Sequence, residues 1–200
     1  MARGSHADGH RCARRHRVWG GGRGPRQFAR PNPPQIETLV LRSVFEELLL
    51  VFRYLSYNPS EGAGHTPEYD VRLEFDENIT VDADPKQFKQ VLWNLLNNAA
   101  QSMPTGGPIN LTVTRHDKEI EVCVIDEGVG IASDIIDRIF DPFFSTKEQG
   151  TGLGLAQAQC IVDEHNGRLE VESCLDEGST FRVFLPSSEL SEARIDEAAS

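Results

Sequence analysis

The 200-residue chain is 38% hydrophobic and 26% charged, and it carries a formal net charge of −11. This length and balance are typical of one soluble globular domain with a short extension. No segment approaches the roughly 18 consecutive apolar residues of a membrane-spanning helix, so we expect no such helix in this chain.

The charge is distributed unevenly. Residues 1–30 hold eight arginines and one acidic residue and so carry +7, which leaves −18 on the other 170 residues. An acidic body argues against nucleic-acid binding by the domain itself. The basic leader lacks hydrophobic periodicity and contains three consecutive glycines, which predicts disorder over residues 1–27. We also expect an acidic, disordered tail at 187–200.

Proline and cysteine spacing give two further expectations. Pro31, Pro33 and Pro34 predict a stiff connector over residues 28–35, because successive prolines fix φ and exclude helix. The cysteines show no C-x-x-C spacing, so we expect reduced core thiols in a cytoplasmic protein. They lie at Cys12, Cys123, Cys160 and Cys174.

The first half of the domain begins with a predicted strand at Ile36–Leu41 and a helix from Ser43 to about Tyr57. A Gly/Pro-rich loop and two short alternating strands, at 71–75 and 79–81, follow. The next helix has a well-marked start. Asp84 is its predicted N-cap, Pro85 takes the first helical position, and Gln87 completes a capping box.

The second half combines strands with two helices. A hairpin is predicted over 109–124, a short helix from Ser133 or Asp134 to Ile139, and a longer helix from Leu153 to His165. Strands at 168–174 and 179–185 close the domain. The pattern predicts a two-layer α/β sandwich over residues 36–186, with a mixed sheet and helices on one face.

The helix after Asp84 carries a polar stripe. Asn94, Asn98 and Gln101 fall at i, i+4 and i+7, beside the apolar face. Asparagine is a poor helix former, which costs roughly half a kcal/mol against alanine. The amides either face solvent or supply neutral oxygens to a hard cation such as Mg²⁺, and the residues alone leave both interpretations open.

Two glycine-containing segments suggest a ligand. Asp126 ends a strand and is followed by Gly128 and Gly130, so it could accept a hydrogen bond from an adenine amine or form an ordinary Asp-Gly turn. Farther on, Gly150, Gly152 and Gly154 precede an apolar helix, where free amides favour phosphate. The intervening segment 139–147 contains three phenylalanines and fits either a lid anchored on the core or a static hydrophobic patch.

Taken in order, these segments resemble the catalytic domain of sensor histidine kinases, within the gyrase/Hsp90/histidine kinase/MutL ATPase superfamily. Residues 94–99 (NLLNNA) look like the N box, 126–131 (DEGVGI) like the first glycine box, 140–144 (FDPFF) like the F box and 150–155 (GTGLGL) like the second glycine box. The closing segment GSTF…LP matches the usual last strand. The resemblance implies a Bergerat-type ATP-binding fold, with a mixed, mostly antiparallel sheet and helices on one face.

The resemblance also implies roles for individual residues. Asn98 would ligand Mg²⁺, Asp126 would bind the adenine amine, and Lys147 would hold the phosphates of ATP under a mobile lid. Thr180 would support the Asp126 end of the adenine site. Asn94 stands where hydrolysing relatives have a water-activating glutamate, and an amide cannot act as a general base at neutral pH. The remaining nucleotide contacts are expected from Gln101, Gly128, Gly130, Ile131, Phe143, Phe144, Gly150, Thr151, Gly152, Leu153, Gly154 and Leu155.

The family also implies partners. Its phosphoacceptor is a histidine followed by an acid on a helical hairpin, whereas the one such pair here, His116-Asp117, falls in a predicted turn. We therefore expect a phosphoacceptor segment outside this chain, and a response regulator receiver domain as the partner that next takes the phosphoryl group. A cytoplasmic location follows, with membrane tethering of a full-length kinase left open. The alternatives are a nucleotide-binding regulatory module without phosphotransfer and an ATPase of the same superfamily.

Overall fold

A computed structural model describes residues 13–15, 33–57, 67–75, 79–147 and 150–187. Most of the predicted leader, connector and tail, and most of the predicted loop at 59–67, therefore lie outside the described residues. The elements are β1 (Ala13–Arg15), β2 (Glu37–Val40), α1 (Leu41–Tyr57), β3 (Glu68–Phe75), β4 (Thr80–Ala83), α2 (Pro85–Ser102), β5 (Gly106–Arg115), β6 (Glu119–Asp126), α3 (Gly154–Glu164), β7 (Arg168–Cys174) and β8 (Gly178–Pro186).

The main sheet has six strands in the order β1-β7-β8-β6-β5-β3, and β2 pairs with β4 in a separate two-stranded sheet. Among the described strands, β3 and β5 form the one parallel pair, and every other pair is antiparallel. The predicted mixed, mostly antiparallel sheet is confirmed.

The three helices cover the sheet and form the second layer. The predicted apolar face of α2 is buried against core positions of β5, β6 and β8. Its residues are Phe88, Val91, Leu92, Leu95, Leu96 and Ala99. Helix α3 packs against α2, β7 and β8, whereas α1 packs against α2 and β3. Phe52 of α1 meets Trp93 of α2 edge-on, with ring centroids 6.2 Å apart. No described helix is both long enough and apolar enough to span a membrane.

The opposite face of the sheet carries ion pairs, and no helix among the described residues covers it. Arg168 pairs with Glu119 and Glu170, and its guanidinium lies 3.6 Å from the ring centroid of Phe184. Arg182 bonds Glu172 at 3.0 Å on the neighbouring strand. Alternation along each strand therefore places apolar side chains under the helices and charged ones on the outer face.

The start of α2 is fixed by three connections. The Asp84 carboxylate caps the helix by accepting from the amides of Lys86 and Gln87, at 2.9 and 3.0 Å. Its second oxygen accepts from the Gln35 amide, and these bonds, chiefly that from Gln87, lower the pKa of Asp84. The Asp84 amide donates to Nε2 of buried His165 at 2.9 Å, while Nδ1 of His165 bonds the carbonyl of Ile161. The first turn of α2 is thus tied to the end of α3.

Several expectations differ from the structure. The Asp84 amide donates to His165 and not to the Gln87 side chain, so the predicted capping box is wrong. The predicted short helix at 133–139 is a series of turns with i→i+3 hydrogen bonds, which bury Ile136 without completing an α-helix. Ala13–Arg15, within the leader predicted to be disordered, pairs with β7, whose edge offers unpaired backbone groups. Cys174 is disulfide-bonded, so the expectation of reduced thiols is wrong for it, because pairing depends on proximity that spacing does not reveal.

Candidate functional site

Asp126 ends β6 beneath the C-terminal end of α2 and is buried. Its Oδ1 accepts two hydrogen bonds, from Ser102 Oγ at 2.8 Å and from the Gly128 amide at 2.9 Å. Its Oδ2 is also buried but has no hydrogen-bond partner among the described residues. Burial raises the pKa of this carboxyl, and the bonds from the Ser102 hydroxyl and from the Gly128 and Ser179 amides oppose the rise, as does the charge of Lys147. The site therefore holds one oriented acceptor that lacks a donor.

The backbone of the first glycine segment lies against α2 on one side and β7 on the other. The Val129 amide donates to the Ser102 carbonyl, and the Ile131 amide donates to Ser173 Oγ at 2.8 Å. Gly130 has φ +66°, and a Cβ there would lie 1.9 Å from the Cys174 carbonyl oxygen. Only glycine fits this approach, so the segment is held where its backbone can line a ligand pocket.

The prediction that Thr180 supports Asp126 is off by one position. Thr180 pairs with Ile125, whereas Ser179 lies directly opposite Asp126. Because side chains alternate along a strand, Thr180 lies on the other face of the sheet. Ser179 is buried, and its hydroxyl lies 3.1 Å from Ser173 Oγ. Ser179 therefore takes the place that the sequence analysis gave to Thr180.

The amide stripe of α2 faces Lys147. Its ammonium nitrogen lies 3.2 Å from Asn98 Oδ1 and 2.9 Å from Gln101 Oε1, and it donates to both. Burial lowers the pKa of Lys147, and the charge of Asp126 opposes that change. Two neutral amide oxygens and one ammonium group thus converge in front of α2. Oxygens of this kind are ligands that Mg²⁺ accepts, and the ammonium is a binding group for phosphate.

Asn94 connects α2 to the start of α3. Its Nδ2 donates to the Gly154 carbonyl at 2.9 Å, and its Oδ1 accepts from Gln90 Nε2 at 2.9 Å. Both polar ends of this amide are therefore engaged within the protein. The contact places the second glycine segment over the same face of α2 that carries Asn98.

The three phenylalanines of the F box differ in burial. Phe140 is buried and Phe144 is half-buried, with the Arg138 guanidinium 4.4 Å from the centroid of its ring. Phe143 is 62% exposed, because its φ of +65° turns the chain and directs the ring outward. Two of the three rings therefore pack as predicted for the base of a lid, and Phe143 does not.

The base of the predicted lid is closed by a backbone contact. The Phe143 amide donates to the Gly152 carbonyl at 3.0 Å. Gly152 has φ +66°, and a Cβ there would lie 2.4 Å from the Phe143 carbonyl carbon. Helix α3 begins directly afterwards, with Leu153 as an N-cap that makes no side-chain cap bond. The first amides of a helix have no intrahelical partner, so they remain available to phosphate oxygens.

The structure brings most of the predicted site together. Asn98, Gln101 and Lys147 are in contact, and Asp126 with the two glycine segments lies beside them. The sequence motifs do not identify Ser102, Ser173 and Ser179 as site residues. Serine is common and these three are scattered along the chain, so only their shared position around Asp126 distinguishes them.

Comparisons with known proteins identify the family of this domain. The family model for "Histidine kinase-, DNA gyrase B-, and HSP90-like ATPase" matches residues 83–189. The chain is 42% identical over 120 residues to the sensor histidine kinase ZraS of Escherichia coli (strain K12), covering 58% of this chain. It is 35% identical over 162 residues to the signal transduction histidine-protein kinase AtoS of the same organism, covering 80%. The chain spans 26% of the length of ZraS and 25% of AtoS.

A solved structure extends the likeness to the fold. The catalytic domain of the histidine kinase ThkA matches with a TM-score of 0.64 and 30% sequence identity. The match covers 76% of this chain and 96% of that domain. The predicted fold type is confirmed by this likeness.

Proposed function

Since this chain belongs to the family of histidine kinase-, DNA gyrase B- and HSP90-like ATPases, we propose that residues 36–186 form the ATP-binding catalytic domain of a sensor histidine kinase. The domain transfers the γ-phosphate of ATP to a protein histidine on a phosphoacceptor segment outside this chain. A response regulator receiver domain then takes the phosphoryl group. A cytoplasmic location is part of this proposal, because ATP and the receiver domain are found there.

One observation carries the proposal for ATP. Asp126 Oδ2 is buried and has no donor among the described residues, which costs free energy unless a ligand supplies one. An exocyclic amine satisfies it, and adenine carries such an amine. Gly128 and Gly130 let the backbone after Asp126 pack closely against Ser102 and the Cys174 carbonyl, which holds this segment beside the carboxylate.

The donor set in front of α2 fits the phosphate end of Mg-ATP. Asn98 Oδ1 would hold Mg²⁺ with the phosphates, and Mg²⁺ usually takes only one or two protein oxygens there. When bound, Mg²⁺ supplies positive charge that offsets the negative charge of the phosphate oxygens. Lys147 supplies a second positive charge at the same place. The amides at the start of α3 would bind the remaining phosphate oxygens.

Asn94 supports transfer over hydrolysis. Its amide is neutral and is bonded to Gly154 and Gln90, so it cannot remove a proton from water. A histidine imidazole is itself a nucleophile and needs less activation than water. Asn94 therefore positions the second glycine segment, and the acceptor histidine attacks the γ-phosphate without help from a base at this position.

His116 does not fit the role of acceptor. It lies in the turn between β5 and β6 and bonds Glu121 at 2.8 Å. The acceptor in the resembled family lies on a helical hairpin, whereas His116 lies between the two strands β5 and β6. The acceptor proposed here is therefore a histidine on another segment.

The test combines binding with transfer. Titration calorimetry should show Mg-ATP binding in about the micromolar range, and labelled ATP should place an acid-labile phosphate on a histidine-bearing helical hairpin supplied in trans. The hairpin with its histidine replaced by alanine is the control. Absence of nucleotide binding would overturn the ATP proposal. Multiple-turnover phosphate release without hairpin labelling would identify an ATPase instead.

Replacement of Lys147 tests the phosphate end of the site. Lys147→Ala should weaken ATP binding about tenfold and ADP binding less than about threefold, because the ammonium adds a charge-assisted hydrogen bond to the γ-phosphate. Lys118→Ala, in the exposed β5–β6 turn, is the matched control and should change neither affinity. Equal losses for ATP and ADP in Lys147→Ala would place the ammonium away from the γ-phosphate.

A further inference from the structure

Ser102, the last residue of α2, has a defined contact with Asp126 that no motif includes. Its Oγ lies 2.8 Å from Asp126 Oδ1 and 2.7 Å from the Ala99 carbonyl oxygen. A hydroxyl has one proton to donate, and a carboxylate is the stronger acceptor of the two when it is ionised. The hydroxyl therefore has a specific electrostatic partner in the base pocket.

Gly128 completes this arrangement. Its amide donates to the same Oδ1 at 2.9 Å, so both donors act on one oxygen of the carboxylate. A Cβ at position 128 would lie 2.0 Å from Ser102 Oγ, which means that glycine leaves the space the hydroxyl occupies. The two donors fix the carboxylate and leave Oδ2 as its open acceptor.

The surroundings make the charge state of Asp126 depend on these donors. Burial raises its pKa, and the hydrogen bond from Ser102 is the largest effect that lowers it again, ahead of those from the Gly128 and Ser179 amides. The residues that face it from neighbouring elements are neutral, namely Ser102 of α2, Ile109 of β5 and Ser179 of β8. Among the described residues, Lys147 is the charged group that acts on it.

We propose that Ser102 is a specificity-determining residue that fixes Asp126 as a hydrogen-bond acceptor and so selects 6-amino over 6-oxo purine nucleotides. The proposal rests on the ATP site proposed above. An ionised Oδ2 accepts from the amine of adenine but faces the lone pairs of a 6-oxo group. Without the Ser102 hydroxyl, a proton can settle on Oδ2, which then donates to a 6-oxo group. Ser102 acts through Asp126 and is a positioning residue.

The experiment compares ATP with inosine triphosphate, whose base differs at the 6-position and the adjoining ring nitrogen. Dissociation constants are measured with Mg²⁺ for the wild-type chain and for Ser102→Ala, from about pH 8 down to about pH 5.5. We expect the wild type to prefer ATP, and Ser102→Ala to lower that preference about tenfold. The loss of preference for ATP should grow as the pH falls, because protonation of Asp126 favours the 6-oxo base. Protonation of the triphosphate affects both nucleotides equally, so it cancels in the ratio of their dissociation constants.

Two further variants distinguish the effect of the Ser102 hydroxyl on nucleotide preference from the effect of side-chain packing. Ser102→Thr keeps the donor and should keep the preference for ATP. Ser102→Cys keeps a side chain of similar shape but donates weakly, so it should lower the preference even if Ser102→Ala does not fold.

The outcomes distinguish the two proposals. If the wild type binds neither nucleotide, the ATP site and the role of Ser102 both fail. If the wild type prefers ATP and the alanine and cysteine variants keep that preference at every pH, Ser102 only packs and this inference alone is wrong.

Discussion

Asp126→Asn should lower the affinity for Mg-ATP roughly 30- to 100-fold, equivalent to about 2–3 kcal/mol, without destabilising the fold. Ser102 and Gly128 both donate to the position of Oδ1, so they hold the amide oxygen of the new side chain there. Its NH₂ group then lies where Oδ2 stood and points a donor at the adenine amine. The variant therefore replaces an attraction with a contact between two donors.

The stability of the same variant follows from the pKa of Asp126. A carboxyl whose pKa is raised in the folded state stabilises the protein below its unfolded-state pKa and loses that contribution as the pH rises through the folded value. Wherever Asp126 is ionised, the folded wild type carries a buried charge that is unfavourable to folding. The Asp126→Asn substitution removes that charge, so the thermal midpoint should stay unchanged or rise.

Calorimetry and thermal unfolding check both parts. Glu127→Gln is the matched control, since it removes an exposed carboxylate from the adjacent position. It should bind ATP with wild-type affinity. Wild-type affinity in Asp126→Asn would mean that the adenine amine is bound elsewhere, and a large fall in the midpoint would give Asp126 a structural role instead.

The helix α2 shows what local sequence can establish. Its start was predicted to the residue, because a capping aspartate, a proline at the first position and a 3.6-residue apolar period all agree. The polar stripe on its side followed from the same periodicity. The stripe did not reveal that Lys147, 49 residues from Asn98, would bond two of its amides.

Errors arose where tertiary contacts or a single-residue register decide the outcome. Ile136, Ile139 and Phe140 have a helical spacing, but they bury equally well in a chain of turns, so the pattern does not separate the two. Ser179 and Thr180 are adjacent, and both are plausible partners for Asp126 in the sequence. Only the pairing of β6 with β8 places Ser179 opposite the carboxylate.

The second large effect is expected from replacing Gly152, whose carbonyl accepts a hydrogen bond from the Phe143 amide at the base of the predicted lid. Gly152→Ala should lower phosphotransfer to an acceptor hairpin roughly 100-fold or more, because small displacements of a phosphate-binding segment have effects of this size. Alanine at φ +66° costs about 1–3 kcal/mol, and its Cβ would lie 2.4 Å from the Phe143 carbonyl carbon. The backbone must shift, which breaks the hydrogen bond from the Phe143 amide to the Gly152 carbonyl.

Gly154→Ala is the matched control for backbone strain, two residues away in the same glycine segment. A Cβ there would lie 3.8 Å from the nearest side chain, Asn94, which is ordinary contact, and alanine is the better helix former. Its thermal midpoint should be unchanged or higher, whereas that of Gly152→Ala should fall. Because Asp126 lies outside the shifted segment, adenosine binding should survive in both variants. Unimpaired phosphotransfer by Gly152→Ala would show that the Phe143–Gly152 contact does not position the phosphates.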